Sequence, residues 1–135
     1  MTETRPMRIL LADDDVDLRA LVQMALSRDG HEIVEAENGA EVLDCLERAA
    51  FHPESMPDVI VVDVLMPKCS GLGVLEILKK SRAHVPVIVM TSFEHDSVRQ
   101  VAERLGAVAF FRKPFDVEAL RSAVRDVPPR SRHRA

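Results

Sequence analysis

The sequence has little cysteine, no excess of basic charge and no long apolar run, and each shortage removes a class of protein. Two cysteines, Cys45 and Cys69, lie far apart in a chain of 135 residues. Two thiols in a chain able to build a real core do not make a disulfide framework, so a reducing cytoplasm is the expected compartment. The formal net charge of -4 argues against general affinity for nucleic acid, and no direct DNA binding is expected. Any polyanion contact would fall to the arginines of the last stretch, Arg121, Arg125, Arg130, Arg132 and Arg134. The longest apolar runs, Val59 to Val62 and Val85 to Met90, are far short of the roughly 20 residues that cross a bilayer, so no membrane association is expected. Met1 to Met7 carries Arg5 but no small-residue cleavage site follows it, and it reads as no export signal. The histidines, His31, His52, His84, His95 and His133, show no metal-ligand spacing and are expected at the surface.

What is present is apolar material in a regular rhythm. Hydrophobic residues make up 47% and charged residues 30%, enough for one core and one solvated surface. RILLA (Arg8 to Ala12), HEIVEA (His31 to Ala36), DVIVV (Asp58 to Val62), PVIVM (Pro86 to Met90) and AVAFF (Ala107 to Phe111) read as short buried strands. Helical spacing fills the gaps between them. Leu18, Leu21, Val22, Ala25 and Leu26 mark a first helix, stopped at Asp29-Gly30. Asn38 caps a second with Val42, Leu43 and Leu46, and Ser70 a third with Val74, Leu75 and Leu78. Val98, Val101, Ala102 and Leu105 mark a fourth, ended by Gly106, and Asp116 caps a fifth with Val117, Leu120 and Val124. Five strand–helix alternations with short connections predict a doubly wound α/β fold with a parallel sheet and helices on both faces. Ala49 to Pro57 is expected as a surface loop, residues 7–127 as one domain, and residues 128–135 as a short basic tail.

In an open α/β sheet, ligands bind beyond the carboxyl ends of the strands. Four polar groups fall at that edge: Asp13-Asp14-Asp15, Asp63, Thr91-Ser92 and Lys113-Pro114. Taken singly they are ordinary: Asp13 to Asp15 as helix caps, Asp63 as a loop residue, Thr91 as a helix-approach residue and Lys113 as a solvated charge. Taken together, Asp13, Asp14 and Asp63 are costly neighbours unless a cation neutralises them, and Mg²⁺ with its preference for oxygen ligands suits the set. Lys113 adds a positive charge and Thr91 a hydroxyl donor, a combination suited to phosphoryl transfer. Asp63 is then the natural nucleophile, since a carboxylate can attack phosphorus to give an acyl phosphate.

These residues resemble the receiver domain of two-component response regulators over about Met7 to Val127. LLADDD (Leu10 to Asp15) with Arg19, VVDVLMP (Val61 to Pro67), Gly71, VIVMTS (Val87 to Ser92) and KPF (Lys113 to Phe115) occur in the family's order. The resemblance implies a flavodoxin-like sheet of order 2-1-3-4-5 with five helices. It implies phosphorylation of Asp63 by a sensor histidine kinase or histidine phosphotransfer protein. Mg²⁺ would be organised by Asp13 and Asp14, with Asp14, Asp63 and the Leu65 carbonyl as direct ligands. Thr91 and Lys113 would hold the phosphoryl oxygens, across a cis Lys113-Pro114 peptide. Phe110 matches the aromatic switch position, so that with Thr91 it would reshape the surface of helix four, strand five and helix five. Its ring is Phe where many relatives have Tyr, so no hydroxyl reports its position. Leu65 and Phe93, both apolar, are expected to shield the acyl phosphate and slow its hydrolysis.

The resulting expectation is a stand-alone, cytoplasmic response regulator that acts through a downstream protein target, as a monomer or a phosphorylation-dependent dimer. It is an enzyme only in its own phosphorylation and dephosphorylation. A piece of a longer regulator also fits, because the Pro-Pro-Arg sequence reads as the start of a linker. Two alternatives remain. One is a Mg²⁺-dependent phosphatase with an aspartyl nucleophile, for which Asp13 and Asp15 have the carboxylate spacing but Asp17 occupies the wrong place. The other is a receiver-like binding module that is never phosphorylated.

Overall fold

The computed structural model describes residues 6–66, 68–81, 84–92 and 96–128. Among them the five strands are β1 (Arg8–Ala12), β2 (Glu32–Ala36), β3 (Val59–Asp63), β4 (Val87–Thr91) and β5 (Ala109–Arg112). They alternate with α1 (Val16–Arg28), α2 (Gly39–Phe51), α3 (Gly71–Lys80), α4 (Asp96–Arg104) and α5 (Val117–Arg125). The sheet is parallel throughout, in the order β2-β1-β3-β4-β5. The doubly wound α/β expectation is met.

Each strand sends alternate side chains to opposite faces, and two cores result. Leu10, Ile60, Val62, Val87 and Val89 meet Val42 of α2, Val74 and Leu78 of α3 and Ala102 of α4. Ile9, Leu11, Val59, Val61, Ile88 and Met90 meet Val22 and Leu26 of α1 and Leu120 and Val124 of α5. Full burial of such a side chain contributes about 1.5–3 kcal/mol, so these two layers dominate the stability of the sheet.

The helix caps fall where the sequence places them. Asn38 accepts from the Glu41 amide, Ser70 from the Gly73 amide and Asp116 from the Glu118 amide. Asp15 caps α1 by accepting from the Leu18 amide. Gly106, with φ of 98°, takes the left-handed turn after α4.

Several expectations need correction. β3 and β4 begin and end one residue later than the apolar runs suggest, because the ladder continues to the pairing of Asp63 with Met90. Asp63 and Thr91 are therefore the last residues of strands, held by sheet hydrogen bonds, rather than the first residues of loops. β5 starts two residues late, since the Ala107 amide closes the end of α4 on the Ala102 carbonyl. β2 is the edge strand that the order 2-1-3-4-5 implies, and there Val34 stays 37% exposed rather than buried. Leu21 is exposed on α1. The expected loop at Ala49 to Pro57 is instead the last turn of α2, running through Phe51, followed by a 3-10 turn at Pro53–Ser55.

His31 is the other correction: it is buried, while His52 and His84 are exposed. Its Nδ1 accepts from the Met7 amide at 3.1 Å, and Nε2 has no partner among the described residues. Burial pulls its pKa down, with Asp29, Arg125 and Asp58 as the charged groups facing it. The folded ring thus refuses a proton that the unfolded chain accepts below about pH 6.5. The stabilisation is complete above that pH and is lost as the pH falls toward the lower folded pKa. Stability should drop there by up to about 1.4 kcal/mol per pH unit from this group. Urea melts between pH 5 and 7.5 check this: the wild type should lose stability on acidification relative to His31→Asn.

Beside His31, Asp29 at the end of α1 takes a forked pair of bonds from Arg121 of α5, at 2.9 and 2.5 Å. The bond to Arg121 holds the Asp29 carboxyl below its usual range. This clamp fixes α1 against α5 on one face of the sheet.

Candidate phosphoacceptor site

At the carboxyl edge of the sheet, β1 delivers Asp13, β3 ends in Asp63, β4 ends in Thr91, and the segment after β5 carries Lys113. Parallel register brings them together: Ala12 pairs with Val62 and Asp63 with Met90, so the strand ends are level. The Lys113 amide donates to the Thr91 carbonyl at 2.7 Å, tying the lysine-bearing segment to the end of β4. The Lys113-Pro114 peptide is cis, as the motif implies.

The Lys113 ammonium bridges two carboxylates, donating to Asp13 Oδ2 at 2.9 Å and to Asp63 Oδ2 at 2.6 Å. The other oxygens are also engaged. Asp13 Oδ1 accepts from the Asp15 amide at 2.9 Å, and Asp63 Oδ1 from the Leu65 amide at 3.0 Å. Asp13, Asp63 and Thr91 are buried, whereas Asp14 is exposed at the rim. Carboxylate oxygens of Asp13, Asp14 and Asp63 all lie within 4.8 Å of one another.

Burial pushes the Asp63 carboxyl up to about 6, and the neighbouring Asp13 charge adds to this; Lys113 and the Leu65 amide pull the other way without prevailing. For Lys113, burial acts to lower the pKa, but its hydrogen bonds to Asp13 and Asp63 raise it. Three carboxylates face one ammonium, so a hard divalent cation with oxygen preference fits the excess negative charge.

Of the residues named from sequence, Asp13, Asp63 and Lys113 are in direct contact, and Asp14 completes the acidic group. Thr91 lies at the adjoining strand end, fully buried. Leu65 presents its amide to Asp63, while its side chain is 46% exposed. Phe93 lies outside the described residues. Phe110 is half-buried against the α2, α3 and α4 layer, with the Arg99 guanidinium 5.8 Å from its ring centre. Asp15, which the phosphatase spacing would enlist, instead spends its carboxylate on the α1 cap.

Two supporting roles were not deduced from the sequence. Arg19 donates to the Asp13 carbonyl at 2.6 Å and pairs with Glu35 at 2.9 Å, which pins the acidic loop to the end of β2. Its position one helical turn after Asp15 was the available signal. Gly71 opens α3 against β3: a Cβ there would lie 2.4 Å from the Asp63 carbonyl oxygen. Because that neighbour is backbone, Gly71→Ala must displace either α3 or the end of β3. The expected cost is about 3 kcal/mol in chemical denaturation, with altered amide shifts at Asp63 and Val64.

The response regulator receiver domain model matches residues 9–125. The chain belongs to the response regulator receiver family. It is 30% identical over 122 residues to sporulation initiation phosphotransferase F of Bacillus subtilis, covering 90% of this chain and 94% of that protein. Response regulator MprA of Mycobacterium is 33% identical over 89% of this chain, which spans only 50% of MprA; several other curated relatives are likewise matched over about half their length. Among solved structures, the receiver domain of Francisella response regulator 1452 superposes with a TM-score of 0.81 at 26% identity, over 90% of this chain and 95% of that one. The phosphorylated cyanobacterial phytochrome response regulator RcpA gives 0.76 at 25% identity, over 90% of each. Receiver domains are signalling modules phosphorylated on aspartate in two-component systems, and the family binds Mg²⁺ at an acidic cluster. No helix among the described residues is long and apolar enough to cross a membrane.

Proposed function

We propose that this receiver accepts a phosphoryl group on Asp63 from a phosphohistidine of a sensor kinase or histidine phosphotransfer protein. The observation that carries the reading is the Lys113 ammonium held between Asp63 and Asp13, with Asp14 beside them, at the carboxyl edge of the sheet. Among these carboxylates, that of Asp63 is buried at the end of a central strand and fixed by the Leu65 amide, so its approach direction is set before the donor arrives. An Asp63 oxygen attacks phosphorus, the P–N bond of the phosphohistidine breaks, and its electron pair stays on the imidazole. Lys113 shifts its ammonium toward the incoming equatorial oxygens, and the Thr91 hydroxyl donates to another. Asp13, Asp14, Asp63 and the Leu65 carbonyl would hold Mg²⁺, which when bound offsets the charge of the phosphoryl oxygens.

The output we assign is a change at the α4, β5 and α5 surface, coupled through Thr91 and the Phe110 ring and read by a downstream protein. We place the phosphoacceptor unit at residues 7–127 and its action in the cytoplasm. Intact mass after incubation with acetyl phosphate tests the reading. One added phosphoryl group, dependent on Mg²⁺, is expected. Mg²⁺ binding with no adduct, and none with beryllofluoride, would indicate a binding module; sustained turnover of phosphate esters would indicate a phosphatase.

A further inference from the structure

The α2 and β2 flank carries two features that phosphoryl transfer does not use. Phe51, the last residue of α2, is 80% exposed, the most exposed of the large apolar side chains described. Next to it, α2 covers the edge of the sheet incompletely and leaves a cavity of about 500 Å³. Leu10 and Val34, paired in register on neighbouring strands, line the cavity with Cys45, and Arg48, His52 and Glu54 line it too. That volume lies within the range of about 300–1,000 Å³ that accepts drug-sized ligands, so a phenyl ring fits. Phe51 follows Arg48 by three residues and precedes His52, so the projecting ring and the cavity share one flank of the helix.

A projection and a hole on the same face are what a two-fold interface requires, because the same patch must serve both partners. The charges agree. Arg48 has no carboxylate partner among the described residues, its guanidinium reaching only the Cys45 sulfur there, at 3.8 Å. The Glu54 side chain is 76% exposed and among the described residues its carboxylate meets His52 alone, at 3.7 Å, while its carbonyl accepts from Arg8. Lining of both signs suits a second copy, where Arg48 of one meets Glu54 of the other, better than a partner of a single charge. The cavity also reaches the starts of the strands, at Arg8 and Glu32, whereas Asp63 lies at their ends.

We propose that this receiver self-associates through the α2 and β2 flank, Phe51 of each copy seated in the cavity of the other, without need of phosphorylation. Two aromatic rings bury roughly 300–500 Å² between them. That is well under the approximately 1,200 Å² of a stable interface, so the dimer is weak.

Sedimentation velocity and ¹⁵N amide spectra over a dilution series of the unphosphorylated chain, from about 1 mM down to 10 µM, test this. The expected result is a monomer–dimer equilibrium with dilution-dependent shifts at Val34, Cys45, Arg48 and His52. Phe51→Ser removes the projection and Val34→Lys blocks the hole; each should weaken association at least tenfold, while both variants keep the wild-type spectrum elsewhere and still accept phosphate. A monomer throughout, shifts confined to another surface, or a dimer that survives either variant would overturn the proposal. Saturation of the cavity by a small molecule with no dimer at any concentration would overturn it in favour of a ligand site.

Discussion

Asp63→Asn is expected to abolish the acid-labile phosphoryl adduct, a gain of about 80 Da in the wild type, with at least a hundredfold loss of incorporation. The amide nitrogen is no nucleophile toward phosphorus, and neither neighbouring carboxylate is placed to substitute. Asp13 is buried with its two oxygens held by Lys113 and the Asp15 amide, and Asp14 stands exposed at the rim. The fold should survive. Asn keeps an oxygen for the Leu65 amide, and the ion pair between Lys113 and Asp13 persists. Removing a buried carboxylate from beside Asp13 should leave metal-free stability unchanged or slightly higher. Circular dichroism and a urea melt beside the mass measurement separate loss of chemistry from loss of fold. An adduct retained in the variant would move the acceptor to another side chain.

Lys113→Met should have the largest effect on the metal-free protein. The lysine is the only cation within bonding distance of the Asp13 and Asp63 carboxylates among the described residues, and both acids are buried. Taking it away leaves two carboxylates facing each other without compensation, and breaking a buried pair in this way costs about 3 kcal/mol. Met preserves most of the aliphatic stem, so the loss reports charge rather than packing. Mg²⁺ at millimolar concentration should recover more stability in the variant than in the wild type, because a bound cation takes over the neutralisation. Lys113→Arg keeps the charge but replaces a point ammonium with a planar fork, and should restore stability better than phosphorylation. Equal urea midpoints for Lys113→Met and wild type without metal would show that the bridge contributes nothing.

Much of the site was legible because parallel α/β topology converts linear order into position. Four separated fragments, around Asp13, Asp63, Thr91 and Lys113, end apolar runs of similar length. In a parallel sheet, run ends share one edge. Chemistry could therefore be assigned by residue type before any distance was known. The caps at Asn38, Ser70 and Asp116 were legible for a related reason: they depend on local hydrogen bonds within one turn.

Where the sequence misled, the cause was nonlocal. The order 2-1-3-4-5 already put HEIVEA at the sheet edge, but its composition does not record that Val34 stays exposed there or that a cavity opens beside it. His31 is polar and was assigned to the surface; only the tertiary fold buries it, with the Met7 amide on Nδ1 and Asp29, Arg125 and Asp58 nearby. Phe51 sat in a stretch with two prolines, and helix α2 ran further into it than composition suggested because Ala49 packs beneath.

By itself the sequence determined the order of elements, their caps and the chemical inventory at the sheet edge, since these follow from periodicity, local hydrogen bonding and parallel connection. Only the tertiary structure decided which acid is buried and which exposed, that Lys113 bridges Asp13 to Asp63, that Arg19 pins the acidic loop, and that Gly71 must lack a side chain. Those facts depend on distances between residues as many as 100 positions apart in sequence. Burial and charge act through space, and no local pattern records them.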